Sequence, residues 1–348
     1  MTADIIDSIR AHGVMPFDAY MDRCLYGVDG FFTAGRGSPG REGDFVTSPE
    51  VSPHFGGLLS HWVEEAAPRA ESPIIDVGAG SGALLASMGS SHRPLYAVER
   101  SPVARRSIAD RAVGVDLLAT VDELPDLAHG VVIANELLDN LPFALARRTS
   151  DGWTEVGAGT DGEAIVWRDL PIRDSVAARC SEFFPDVGVG TLVSAQLDAA
   201  EWLTGVIGRF ASLAMCVIDY AASSDELARR RPDDLVRAYR RHTVPQDWFT
   251  RPGSTDITVD VNADAVVAAA TRAAADVALT TQRQFLLDHG AAGVLEGLLA
   301  DEREAAAHGR VMDQLAARSQ RIDVEALLDP SGLGGFSVFV ITKGTGRG

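Results

Sequence analysis

Ile74-Ile75-Asp76-Val77-Gly78-Ala79-Gly80-Ser81-Gly82 decides the fold. Four apolar-flanked residues read as a short buried strand, the glycines that follow as a tight turn, and Ala83 to Met88 as the start of a helix. Glycines allow such a turn and let the backbone approach a ligand, and a helix N-terminus offers free N–H donors. Outward from this segment the text alternates. Leu95 to Val98 is a second strand, and a helix runs from Pro102 to about Ala112. Val115 to Val121 and Val131 to Ala134 are two further strands. Strands alternating with helices imply right-handed crossovers and a parallel sheet with helices on both faces. The expectation is an α/β chain with a Rossmann-like core.

The acids around the turn narrow the ligand. Gly78, Gly80 and Ala83 satisfy a loose dinucleotide pattern. Asp76, however, stands just before the first glycine, where a carboxylate would repel a pyrophosphate and attract an ammonium. S-adenosylmethionine (SAM) carries an ammonium and a sulfonium and no phosphate. About twenty residues past the turn, Glu99 closes the second strand, an offset suited to a ribose diol. Ribose is common to SAM and NAD, so Glu99 reads a nucleoside and Asp76 favours SAM. An NAD-linked oxidoreductase is the competing enzyme class.

After the fourth strand comes Ala134-Asn135-Glu136-Leu137-Leu138-Asp139-Asn140-Leu141-Pro142-Phe143. It falls at the carboxyl edge of the sheet, where open α/β sheets bind ligands. Glu136 and Asp139 share a face if a helical turn begins there, and two such acids suit a cationic nucleophile and its departing proton. The alternative is a helix start decorated with favourable acids. Asn140-Leu141-Pro142-Phe143 is superficially similar to the Asn-Pro-Pro-Phe loop of DNA amino-methyltransferases, but Leu141 breaks that motif and no basic patch accompanies it.

The rest of the chain is less regular. The segment from Phe31 to Ser52 is dense in turns and glycine, with Pro39 and Pro49, and a helix follows from about His54 to Glu65. Residues 143–167 read as two or three antiparallel strands with turns at Asp151-Gly152 and Asp161-Gly162. Thr191 to Asp219 returns to helix and strand, and 224–260 is polar and irregular. Alanine-rich helical text fills about 262–318, and the alternating stretch Gly335 to Ile341 is a closing strand. The domain expectation is an N-terminal cap over 1–70 and a core over 71–348, with an inserted accessory region at about 221–320.

Composition bounds the function. The 348 residues include 49 acids against 31 bases, a formal charge of −18, and are 46% apolar. That surface disfavours nucleic acid and anionic membranes, so neither is expected as a partner. The start has acids and no apolar run, and Cys24, Cys180 and Cys216 form no CxxC, which together predict a cytoplasmic protein without disulfides. His54 and His61 fit one helix face but find no third ligand, so no metal is expected.

With these residues assembled, the chain resembles the MidA-type class I SAM-dependent methyltransferases, which include mitochondrial complex I assembly factors. The resemblance runs from roughly Phe17 to Gly344. It rests most on Gly43-Asp44-Phe45-Val46-Thr47-Ser48-Pro49-Glu50 with Phe55-Gly56, and on Ala134 to Asp139 with Leu141-Pro142. Further similar blocks are Leu25-Tyr26, Gly30-Phe31-Phe32, Asp219-Tyr220, Tyr239 with His242, Asp256-Ile257-Thr258, and Thr281-Gln282 with Phe285-Leu286. The resemblance implies a seven-stranded sheet ending in an antiparallel hairpin. It also implies that Asp44, Thr47, Ser48 and Glu50 close over the cofactor and cleft. Among the histidines His242 is the catalytic candidate, the alternative being a loop or core histidine that makes one hydrogen bond. In mitochondrial relatives the associated activity is protein arginine methylation. Departures gather on the acceptor side, where the family's Asp-Tyr-Gly-Tyr reads Asp219-Tyr220-Ala221-Ala222 and its His-Val-Asp reads Asp260-Val261-Asn262.

The expectation is thus a SAM-dependent methyltransferase acting on a protein nitrogen, arginine first. A small-molecule O- or N-methyltransferase and a SAM-binding assembly factor with little turnover are the alternatives. Asp76, Gly78, Gly80, Gly82, Glu99 and Asn135 are assigned to the cofactor with Asp44, Thr47, Ser48 and Glu50; Glu136, Asp139 and His242 are assigned to the acceptor. The partner is a protein substrate or a small molecule, and a homodimer is allowed for.

Overall fold

The computed structural model describes residues 1–35, 47–89, 92–239 and 251–344. Asp44 and His242, with Gly43 to Val46, lie outside the described residues.

A seven-stranded sheet forms the centre. Its strands in chain order are β1 (Ile74–Val77), β2 (Leu95–Val98), β3 (Asp116–Leu118), β4 (His129–Asn135), β5 (Ser212–Asp219), β6 (Asp276–Thr281) and β7 (Ser337–Lys343). Their spatial order is β3-β2-β1-β4-β5-β7-β6. The first five in that order are parallel, while β7 runs antiparallel to both β5 and β6. This is the class I methyltransferase sheet with its antiparallel closing pair.

Successive strand residues point to opposite faces, and both faces here are apolar. Ile74, Val131, Ile133, Ala214 and Cys216 pack on one side with Phe55, Leu59 and Trp62 of the helix His54–Ala66. On the other side Ile75, Val132, Ala134, Leu213 and Met215 meet the helices Leu197–Arg209 and Ala263–Arg272. All eight residues of β5 are buried, which is why its sequence runs apolar without alternation.

A second, antiparallel sheet leaves the core between β4 and β5. It pairs Met15–Pro16, Gly152–Asp161, Ala144–Thr149 and Leu192–Ala195 in that order, with Ala164–Leu170 on Gly152–Asp161. The turns fall at Asp151-Gly152 and Asp161-Gly162, both glycines having positive φ. Helices Thr2–His12 and Phe17–Tyr26 bury Ile5, Phe17, Tyr20 and Met21 in the same cluster as Leu145 and Val156.

The described architecture redraws the expected boundaries. Within 1–70, the helix His54–Ala66 belongs to the central core, and the N-terminal helices belong with the second sheet. Within 221–320, β6 is a strand of the central sheet, not accessory text. The alanine-rich stretch is a helix, the edge strand β6 and three more helices. Among the described residues, no helix is long and apolar enough to cross a membrane.

Candidate active site

The strand order reverses between β1 and β4, and ligands of open α/β sheets bind outside the carboxyl ends at such a point. A cavity of about 720 Å³ lies there. Residues just past β1, β2, β3, β4 and β5 all line it, from Gly78 and Glu99 through Thr120 and Glu136 to Tyr220. The N-terminal helices close one side with Tyr26 and Phe32, whose rings stack at 5.6 Å.

The glycine turn is built for shape. Gly78, Gly80 and Gly82 have φ of 74°, 55° and 79°, the left-handed region that side chains disfavour. A Cβ on Gly78 would also stand 2.9 Å from Leu137 Cδ1. Four amides of the turn have partners within the protein. Gly78 and Ala79 N–H donate to Val98 O, Gly82 N–H to Ala79 O, and Gly80 N–H to Glu99 Oε2 at 2.9 Å. These four amides are therefore not open to a pyrophosphate.

Glu99 is set by the same contacts. Its other oxygen accepts from Ser101 N–H at 2.7 Å. Burial pushes its carboxyl above the ordinary value, while the N–H groups of Ser101 and Gly80 pull it back. Asp76 is 2% exposed, lines the cavity, and its Oδ2 has no partner. Burial, with a smaller contribution from the nearby Glu99 charge, raises it to about 7. An unpartnered buried carboxylate oxygen is expensive unless a ligand donor meets it. The ammonium of SAM would supply such a donor, and the Glu99 carboxylate, lining the same cavity, would accept from a ribose diol. The residues present therefore fit SAM.

The acids past β4 sit at the inner end. Glu136 has φ 52°, a left-handed backbone without glycine, and its N–H donates to Ile218 O. Leu138–Asn140 then forms a single 3-10 turn rather than the start of an α-helix. Asp219, at the end of β5, holds that turn: its Oδ2 accepts from Leu138 N–H at 2.8 Å and Asp139 N–H at 3.3 Å. Asn140 Nδ2 donates to Asp256 Oδ1 at 2.8 Å, and Tyr26 Oη donates to Asn140 O at 3.2 Å. Glu136, Asp139 and Asp256 all line the cavity, so the decorated-helix reading of the acid pair does not hold.

The electrostatics are those of crowded buried acids. Burial raises Glu136 to about 8, the Asp139 charge pushes the same way, and Asn135 Nδ2 at 3.1 Å opposes it. Asp139 rises to about 7 by burial, against the pull of Arg237, and Asp219 lies well above the carboxylate range. Asp139 Oδ1 and Asn135 Oδ1 have no partner. A cation entering here would restore ionisation of these acids.

The covering segment divides its work. Thr47 lines the cavity. Ser48 is fully buried and donates to Gln282 Oε1 at 3.0 Å. Glu50 accepts from Ser81 Oγ and from Arg111 Nη1, tying the segment to the glycine turn rather than reaching the cavity itself. His54 and His61 bond to Gln320 Oε1 and His289 O, respectively. Asp219, as the clamp of the acid turn, was visible in sequence as an acid ending a mostly apolar strand and as part of the Asp219-Tyr220 block, with no sign of what it holds. Tyr26 and Thr258 gave no signal beyond their place in blocks of resemblance.

Residues 57–281 match a family of S-adenosyl-L-methionine-dependent methyltransferases. A protein from Burkholderia thailandensis, crystallised with S-adenosyl-homocysteine, is similar in structure. Its TM-score is 0.84 and its identity 29%, covering 99% of this chain and 92% of that one. A native structure from the same organism gives 0.82 and 28%. Among curated proteins, the mitochondrial "Protein arginine methyltransferase NDUFAF7 homolog" of Caenorhabditis elegans is 25% identical over 309 residues, 74% of this chain and 68% of its own. The mitochondrial NDUFAF7 protein of Xenopus tropicalis is 24% identical over 329 residues, 82% of this chain and 74% of its own. With the sheet order, the SAM-compatible cavity and these matches together, the chain belongs to the S-adenosyl-L-methionine-dependent methyltransferase family.

Proposed function

We propose that this SAM-dependent methyltransferase modifies a nitrogen of a protein arginine side chain. The observation that carries the reading is the set of carboxylates, Glu136, Asp139 and Asp256, lining one cavity with the glycine turn. The relatives named protein arginine methyltransferases support it. Bound SAM supplies an electrophilic methyl group on a positive sulfur. Asp76 and Glu99 hold the amino-acid and ribose ends, and Glu136 and Asp139 accept N–H bonds from the guanidinium plane, which fixes its orientation. When the nitrogen gains a methyl group it must release a proton, and a Glu136 oxygen receives it. The apolar side chains of the wall, Val77, Leu84, Val98 and Leu137 among them, reduce the water the site holds.

The test is methyl transfer from radiolabelled SAM into lysate of a deletion strain, followed by acid hydrolysis. Label recovered as methylarginine supports the reading. Label confined to small molecules, or none, overturns it. We also place the protein in the cytoplasm, on the strength of three free, buried thiols at Cys24, Cys180 and Cys216; cell fractionation tests that.

A further inference from the structure

One cavity wall is left without a task by this reading. The strands Val236–Tyr239 and Asp256–Val259 form an antiparallel pair. Ile257 and Val259, with Val236 and Ala238, are buried in the cluster of the N-terminal helices. Alternation then turns Asp256 and Thr258 the other way, and both line the cavity. Asn140 fastens this strand to the acid turn through Asp256 Oδ1 and Ile257 O at 2.8 and 3.2 Å. Thr258 is 3% exposed and its Oγ1 has no partner among the described residues. A buried hydroxyl left this way destabilises a fold unless something meets it.

We propose that Thr258 is a specificity-determining residue of the acceptor subsite, its hydroxyl accepting a hydrogen bond from an N–H of the acceptor. The proposal rests on the arginine reading above. A guanidinium presents five N–H donors in a plane, more than Glu136 and Asp139 meet from one side. The unpartnered Asp139 Oδ1 and Thr258 Oγ1, joined through the Asn140 clamp, offer acceptors from two elements. A thioether has no donor and a hydroxyl only one, so a plane of several N–H donors meets the two acceptors best.

The isosteric Thr258→Val separates this role from a structural one. Binding of acetyl-arginine N-methylamide to the full chain saturated with S-adenosylhomocysteine is followed by NMR up to millimolar probe, for wild type, Thr258→Val, Thr258→Ser and Glu136→Gln. Thr258→Val is expected to melt at or above the wild-type temperature and bind S-adenosylhomocysteine normally. It should bind the probe about three- to tenfold more weakly, the range of one lost hydrogen bond, with Thr258→Ser restoring it. Normal probe binding by Thr258→Val while Glu136→Gln loses it overturns the proposal and leaves the carboxylate reading standing. Wild-type binding by both variants, or none by the wild type, overturns the arginine reading as well. A lower melting temperature for Thr258→Val would mean the hydroxyl serves the fold, for instance through the equally unpartnered Nε of Arg237, which stands opposite in the strand register, and would also refute it.

Discussion

Replacing Asp76 by Asn should strengthen the empty protein and disable it. The side chains are nearly isosteric, and the amide resembles a protonated carboxyl. In the native cavity Asp76 rises from an ordinary 3.8 to about 7 because burial disfavours its charge, with the Glu99 carboxylate adding to the effect. A folded-state value above the unfolded one means stability is retained at low pH and lost as pH climbs through the folded value. The penalty from Asp76 therefore grows between about pH 4 and pH 7 and levels off above. At about 1.4 kcal/mol per tenfold change in proton affinity it reaches about 4 kcal/mol, and water entering the cavity reduces that to about 2 kcal/mol. Urea unfolding of the ligand-free protein at pH 5 and pH 8 measures it. Asp76→Asn should match wild type at pH 5 to within about 1 kcal/mol and exceed it by about 2 kcal/mol at pH 8. The same variant loses the ammonium partner, so S-adenosylhomocysteine should bind at least tenfold more weakly. Wild type and variant falling in parallel from pH 5 to pH 8 would refute the reasoning.

SAM and S-adenosylhomocysteine should raise the melting temperature and NADH should not, with about 2.7 kcal/mol of added stability at a hundred times the dissociation constant; stabilisation by NADH alone would reverse the ligand assignment. Gly80→Val should abolish cofactor binding in a protein that still shows a folded far-UV spectrum, since a β-branched residue resists φ of 55°; a folded variant titrating normally with S-adenosylhomocysteine would remove the turn from the site. Glu136→Gln should slow methyl transfer about 30- to 1,000-fold, on the order of 2–4 kcal/mol, while cofactor binding changes little; transfer at the wild-type rate would leave the acid without a chemical role.

The core could be read from the sequence because its strands are short apolar runs next to turn chemistry. Ile74 to Val77 and Leu95 to Val98 coincide with β1 and β2, while the bond from Gly80 N–H to Glu99 is one that the offset did not announce. β6 was missed for a physical reason. As an edge strand its residues 276–281 are mostly exposed, so no apolar alternation distinguishes them from the alanine-rich helices on either side. The acid pair was legible as lying at the carboxyl edge of the sheet and misread as shape. A left-handed Glu136 is a poor start for an α-helix, and the groups that hold the segment, Ile218 O on Glu136 N–H and Asp219 on the turn that follows, arrive from another strand far along the chain. Sequence spacing carries no record of such a contact. The second sheet was legible as hairpins, but its edge at Met15–Pro16 is too short to leave a periodic signal.

That short edge has a consequence for the order of events on the ribosome. Met15 and Pro16 pair with Ala158 and Gly157, so the N-terminal helices have no partner until the hairpin beyond β4 has emerged. At about 5–20 residues per second the wait is on the order of ten seconds. Through that interval Ile5, Phe17, Tyr20 and Met21 have no cluster to enter. The side of the cavity formed by Tyr26 and Phe32 is then put in place only after synthesis has passed the acid turn.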